Sequence, residues 1–348
     1  MGKIRQSNME LLRMIAMFMI LIIHANMISL PKPTHAELVN SPLPTGTRYL
    51  IESFGIVGVD IFVMLSGWFL INSRLKSFLS LSFQVITLWG GGFFVFYLLG
   101  ETQLSAKNLL EIFAFTRWDW FIKAYIVLMI IAPILNSFVK NSSEKTQRSV
   151  LIGFFMFSST YGWLGGANRF FVNGYGPLLF IGIYLLSQYV HNTIKDPDTP
   201  CKIRHLFSLD KKWDILIFGI CISVNTMMGL LGLFFNIRTY GKVYAYTNPI
   251  NIIAALYLLL FFSKLTIKPN KCINVLAAGA FAVYLLHSQV DIRPLFTEVV
   301  QSLYYAHEGI LCVLYIFLFL ILVYLASVVA DLPRLKMWNL LSNKFNIK

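Results

Sequence analysis

Two side chains eleven residues apart could do chemistry: Arg13 and His24, within the apolar stretch ELLRMIAMFMILIIHANMIS. An imidazole gains and loses a proton near neutral pH. A guanidinium holds a phosphate or carboxylate through two parallel hydrogen bonds. At ~100° per residue, eleven steps bring a helix back to within about 20° of its starting face, so the two groups share one side, about 16 Å apart. The stretch from about Glu10 to Leu30 is long and apolar enough to span a bilayer. Arg13 then lies near one membrane surface and His24 near the middle of the hydrocarbon. A polar side chain at that depth marks a functional site or a hydrogen bond that glues helices together. On this stretch alone both readings stand.

Other polar groups fall in later apolar runs. GVDIFVMLSGWFL carries Asp60 in its outer half and Ser66-Gly67 nearer the other surface. A buried carboxylate needs a proton, a cation or a polar partner, so Asp60 is either functional or structural. The Ser66 hydroxyl can bond to its own helix, and Gly67 permits close approach of a helix or ligand. RWDWFIKAYIVLMIIAP places Trp118 and Trp120 where an interfacial belt is expected. Lys123 either snorkels to the surface or faces a polar cavity. Tyr125 lies deeper, and Pro133 predicts a kink. In AFAVYLLHSQVD, Tyr284 and His287 share a face one turn apart; His287 is a second site histidine or an interfacial one. Ser7-Asn8-Met9-Glu10 fits a capping box, so Glu10 is either that cap or a substrate contact.

These groups must be positioned by membrane helices. The 348 residues are 57% hydrophobic and 13% charged, with a mean hydropathy of +0.68. Soluble proteins carry about 25% charged residues. No period-2 alternation marks a β-barrel. The net charge of +13 sits in short loops between apolar runs, as the positive-inside bias requires, and calls for no nucleic acid. Cys201, Cys221, Cys272 and Cys312 show no metal-ligand spacing or disulfide framework. Lys3 and Arg5 precede a run too long for a signal peptide, so it is read as the first, retained span.

The pattern predicts an all-α polytopic bundle of about ten spans: 10–30, 52–71, 81–99, 118–138, 149–164, 174–190, 213–235, 246–263, 274–290 and 309–330. The run 149–164 is short and carries Ser158, Ser159 and Thr160. With the N-terminus in the cytosol, twenty Lys and Arg fall inside and eight outside, predicting both termini in the cytosol. The longest loop, 191–212, is too short for a soluble domain, so residues 1–348 are read as one integral-membrane domain.

Four pieces, in order, resemble the integral-membrane acyltransferase-3 family: NMELLRMIAMFMILIIH, GVDIFVMLSGWFL, WFIKAY followed by IIAPIL, and AVYLLH. The Arg13-x10-His24 spacing is the most specific element. Some relatives have Arg-x-x-Ser-Gly-Tyr in the second span; here Val63 and Trp68 stand at the arginine and tyrosine positions. The resemblance implies transfer of an acyl group, by default acetyl, from cytosolic acetyl-CoA to a hydroxyl of a cell-surface or lipid-linked polysaccharide. It implies a multi-pass protein of the bacterial cytoplasmic (inner) membrane. Its partners are the bilayer, the acyl-CoA and a saccharide acceptor, and a homo-oligomer is compatible with this; no metal is implied. His24 is then general base or, less favoured, a covalent acetyl relay. Asp60 orients a histidine or holds a sugar hydroxyl. Arg13 either holds a phosphate of the donor or pairs with Glu10 to fix the helix, Ser66 contacts the donor, and Glu10, Trp120, Lys123, Tyr125 and His287 are substrate contacts. The rival from another class is a flippase or transporter of a lipid-linked saccharide. The enzyme reading requires that the His24 ring be reachable from both compartments.

Overall fold

A computed structural model describes residues 6–71, 75–113, 119–165, 170–196 and 201–345. Lys3, Arg5 and Trp118, and Arg74, Arg117, Arg169 and Lys348 among the Lys and Arg counted above, lie outside the described residues. Among those described the chain is helical with no strand: α1 Ser7–Ile23, α2 His35–Asn40, α3 Pro42–Ile56, α4 Gly58–Phe69, α5 Leu75–Leu98, α6 Ala106–Phe113, α7 Trp120–Asn141, α8 Glu144–Phe157 and α9 Pro177–Lys195. There follow α10 Arg204–Phe207, α11 Lys211–Phe234, α12 Tyr240–Val243, α13 Pro249–Ser263, α14 Lys271–Ala278, α15 Ala280–Ser288, α16 Arg293–Ala306 and α17 Gly309–Lys344. This is an all-α polytopic helix bundle.

Seven helical stretches are long and apolar enough to cross a bilayer, among them Ser7–Ile28, Pro42–Phe69, Trp120–Asn141 and Lys271–Ser288. The other three expected spans do not meet that measure of length and apolarity. Residues 149–164 divide between the end of α8 and a π-helical segment, Ser158–Leu164. The sixth expected span is α9, and the eighth is the 15-residue α13. α17 shows why sequence hydropathy finds the spans: Leu314, Leu318, Leu322, Leu325 and Val329 all face outward, where hydrocarbon is the natural solvent.

Because lipid is as apolar as leucine, packing and buried polar bonds must hold such a bundle together. α1 is central, packing on α3, α4, α13, α14 and α15. Its start differs from expectation. Gln6 is the N-cap and no side chain caps it. Ser7 instead donates to Asn274 Oδ1 at 3.1 Å and accepts from the Asn270 N–H at 2.9 Å. Glu10 turns to Arg13 at 2.6 Å. The capping box is therefore absent: contacts across more than 260 residues take Ser7 out of local use. Elsewhere helix starts follow the local rule, with Asp119, Ser143, Asp210 and Asn248 accepting from backbone N–H groups at their caps. α4 meets α9 closely at Gly67, where a Cβ would lie 2.5 Å from the Tyr184 carbonyl oxygen.

Candidate active site

The first span changes character at the candidate base. α1 is regular through Ile23, so Arg13 and His24 do share a face, but residues His24–Ile28 form a π-helical turn. The Ser29 N–H and hydroxyl both donate to the His24 carbonyl, at 2.9 and 2.8 Å. Such π turns concentrate at functional sites because the wider turn re-aims side chains. His24 is the eighteenth residue of the 22-residue apolar stretch Ser7–Ile28. Just beyond it the chain turns polar: the Asn26 amide donates to Glu52 at 3.2 Å, Arg48 Nε donates to Asn26 Oδ1 at 3.1 Å, and Tyr240 donates to Glu52 at 2.8 Å.

His24 and His287, 263 residues apart, meet: His24 Nδ1 lies 2.7 Å from His287 Nε2. His287 is 2% exposed, and its Nδ1 lies 2.5 Å from the Val283 carbonyl oxygen. A carbonyl oxygen can only accept, so His287 Nδ1 carries the hydrogen. In a neutral ring His287 Nε2 is then an acceptor. His24 Nδ1–H must donate to it, which leaves the lone pair on His24 Nε2. The chain Val283–His287–His24 thus fixes the tautomer of His24 and presents a bare basic nitrogen.

His24 and Tyr125 are each half-buried. Arg13, 28% exposed, lies within electrostatic reach of Tyr125. Tyr125 OH is 3.1 Å from Ser66 Oγ, whose hydroxyl also donates to the Phe62 carbonyl at 3.1 Å. Arg13, Ser66 and Tyr125 therefore lie near one another. Among the described residues only one nitrogen of Arg13 is engaged, by Glu10, so the rest of its fork is open.

The remaining sequence candidates sit elsewhere. Asp60 is fully buried, and neither carboxylate oxygen has a hydrogen-bond partner among the described residues, so it bonds to neither histidine. The Lys123 side chain is exposed. Trp120 packs on Tyr175, Phe180 and Tyr246. Tyr284 stands between Phe121, at 5.3 Å, and His287, at 6.0 Å between ring centroids. No group of three or more His, Cys, Asp or Glu side chains is arranged to hold a metal among the described residues. Sequence reasoning did not single out the Val283 carbonyl, Tyr175 or Tyr246. The carbonyl carries no sequence signal, and tyrosines near membrane surfaces are common.

A family model described as an acyltransferase domain matches residues 6–331. The chain belongs to the acyltransferase-3 family. As an acyltransferase-3 protein it is a membrane acyltransferase, and the match runs from the residue before α1 to Asp331 in α17. It therefore takes in every group described above. No curated protein and no solved structure matches the chain.

Proposed function

We propose that this acyltransferase moves an acetyl group from cytosolic acetyl-CoA to a hydroxyl of a cell-surface or lipid-linked polysaccharide, across the bacterial cytoplasmic membrane. The observation that carries this reading is the bare Nε2 of half-buried His24, whose ring His287 holds in place. The charge bias of the loops supports Arg13 on the cytosolic side and His24 toward the outside. Along the helix the two are about 16 Å apart. The extended arm between the pyrophosphate and the sulfur of coenzyme A spans about 15 Å from ordinary bond lengths. Phosphate on the open fork of Arg13 would bring the thioester to His24.

The chemistry then needs one base in the right place. His24 Nε2 takes the proton of the acceptor hydroxyl as its oxygen attacks the thioester carbonyl. The tetrahedral intermediate collapses, the carbon–sulfur bond breaks, and the departing thiolate takes the proton back from the imidazolium. His287 accepts from His24 Nδ1–H throughout, so the ring stays in register. The products are the O-acetyl ester and free coenzyme A.

The test uses purified protein in proteoliposomes, with labelled acetyl-CoA outside and glycan trapped inside. Released thiol and label on the luminal glycan, in equal amounts, are expected. Movement of saccharide without thiol release would overturn the reading in favour of a flippase.

A further inference from the structure

Three consecutive glycines, Gly90, Gly91 and Gly92, stand inside an apolar run. Glycine in a helix interior lowers its stability, and a run of three invites a break. Yet α5 continues unbroken from Leu75 to Leu98. Close packing does not account for Gly91 either. A Cβ there would meet nothing within 4 Å, whereas a Cβ on Gly92 would touch the Gln289 side chain at 3.4 Å. Gly91 borders a groove of about 440 Å³ between α5, α15 and α17. That volume falls within the roughly 300–1,000 Å³ of ordinary ligand sites.

The walls of the groove are mostly apolar: Leu88, Val95 and Phe96 of α5, Leu286 of α15 and Met337 of α17. Phe94 and Leu98 of α5 and Val329 and Leu332 of α17 stand exposed beside them, so the groove opens toward bilayer hydrocarbon. Arg334 is the charged group on its wall and is 5% exposed. Asp331 accepts from Arg334 Nε at 2.8 Å and Nη2 at 2.5 Å, and from the Gln84 amide at 3.2 Å. The guanidinium is thereby fixed in place. Its Nη1 makes no hydrogen bond among the described residues. Buried N–H groups are almost always paired, so Nη1 calls for an acceptor that arrives by way of the groove.

We infer that this groove is a phospholipid site: one acyl chain lies along Gly91 and the apolar walls, and the lipid phosphate accepts from Arg334 Nη1. The α5 wall from Thr87 to Phe96 rises about 13 Å, the length of about ten methylene groups from ordinary bond lengths. A hydrocarbon chain ending in a phosphate answers both the apolar walls and the unpaired donor, because phosphate is a strong acceptor for a guanidinium. A membrane helix from a second copy of the chain would cover the walls, but its backbone carbonyls are engaged within the helix. The charge bias of the loops supports Arg334, near the C-terminal end of α17, on the cytosolic side, which places the site in the inner leaflet. The chain would touch Leu286, the residue before His287, on the same helix that Trp89 ties to α5 by donating to the Leu285 carbonyl at 2.8 Å. The site stands independently of the transferase reading.

The experiment uses the full-length protein in detergent with two probes: phosphatidylglycerol carrying a photoreactive diazirine on one acyl chain, and a diacylglycerol with the same chain and no phosphate. Labelled residues are mapped by mass spectrometry. Labelling by the phospholipid should saturate on the groove faces of α5 and α17 and exceed that on outward-facing Leu314 and Leu318. The diacylglycerol should label the groove at least about fivefold less, the worth of one charge-assisted contact. Gly91→Leu, whose side chain enters open space, should cut groove labelling by a similar factor and leave the outward face of α17 unchanged. Added phosphatidylglycerol should raise the melting temperature of the wild type, as any ligand of the folded state does, and not that of Gly91→Leu. Groove labelling no greater than on the outward face, equal labelling by the two probes, or undiminished labelling in Gly91→Leu would overturn the inference. So would cross-links between two chains through the groove, which would assign it to a second copy. The comparison of the two probes on the wild type decides even if Gly91→Leu fails to fold.

Discussion

Replacing His287 by Phe isolates what the second histidine does. The substitution keeps an aromatic ring between Phe296 and Tyr284, which lie 5.7 and 6.0 Å away, so packing should survive. It removes Nε2, the acceptor 2.7 Å from His24 Nδ1. The His24 N–H is then either left unpaired or free to turn away, and the lone pair no longer faces the reacting hydroxyl. An unmet buried donor costs about 1–3 kcal/mol. At 1.36 kcal/mol per decade, that is a fall of about 5- to 150-fold in kcat. Neither KM should move, because His287 contacts neither substrate in this account. His287→Gln offers an amide oxygen as acceptor and should recover part of the loss. Thiol release from acetyl-CoA at saturating acceptor gives kcat, and thermal unfolding in detergent checks folding. Wild-type kcat in His287→Phe would refute the reasoning, as would equal losses in the Phe and Gln variants with equal falls in melting temperature.

Three further outcomes follow from the geometry. Arg13→Gln should raise the acetyl-CoA KM about tenfold, the worth of one charge-assisted contact, with little change in the acceptor KM; steady-state kinetics with acetyl-CoA and with a thioester lacking the nucleotide separates the two, since only the former should respond. Gly67→Ala would press a Cβ to 2.5 Å from the Tyr184 carbonyl oxygen, and the α4–α9 contact should loosen at a cost of about 1–3 kcal/mol, read as a lower melting temperature. In the loop after the first span, Thr34 donates its backbone N–H and hydroxyl to Glu37 at 2.6 and 2.8 Å, which holds the Glu37 carboxyl below its ordinary value of 4.5. A lowered folded-state pKa stabilises above the unfolded value and fades as pH falls through the folded one; α2 should therefore keep its hydrogen-exchange protection at neutral pH and lose it as pH falls through the lowered Glu37 value, while Glu37→Gln should remove that pH dependence.

Much of the fold was legible because a bilayer leaves few choices: apolar runs of the right length must be helices, and these were found close to where they stand. The face shared by Arg13 and His24 was legible for the same reason, since helical period is local. What failed was whatever depended on distant chain. Ser7 read as a cap, but Asn270 and Asn274 claim it. The π turn that begins at His24 has no local signature either. His287 was noticed, yet nothing near it in sequence says that it meets His24. Asp60 drew attention as a lone carboxylate, and its lack of a hydrogen-bond partner is visible only in three dimensions. Tyr175 and Tyr246 gave no warning, because their meeting depends on a left-handed turn at Val172–Gly174.

The central claim is that His24 Nε2 removes the proton from the attacking hydroxyl. Its most direct measurement compares wild type with His24→Ala and His24→Gln in proteoliposomes, following label from acetyl-CoA to glycan, with acetyl-CoA binding measured in parallel. Loss of a general base costs about 10²- to 10⁴-fold, so both variants should bind acetyl-CoA like wild type and transfer label at least about a hundredfold more slowly. Transfer near the wild-type rate in either folded variant would contradict the account.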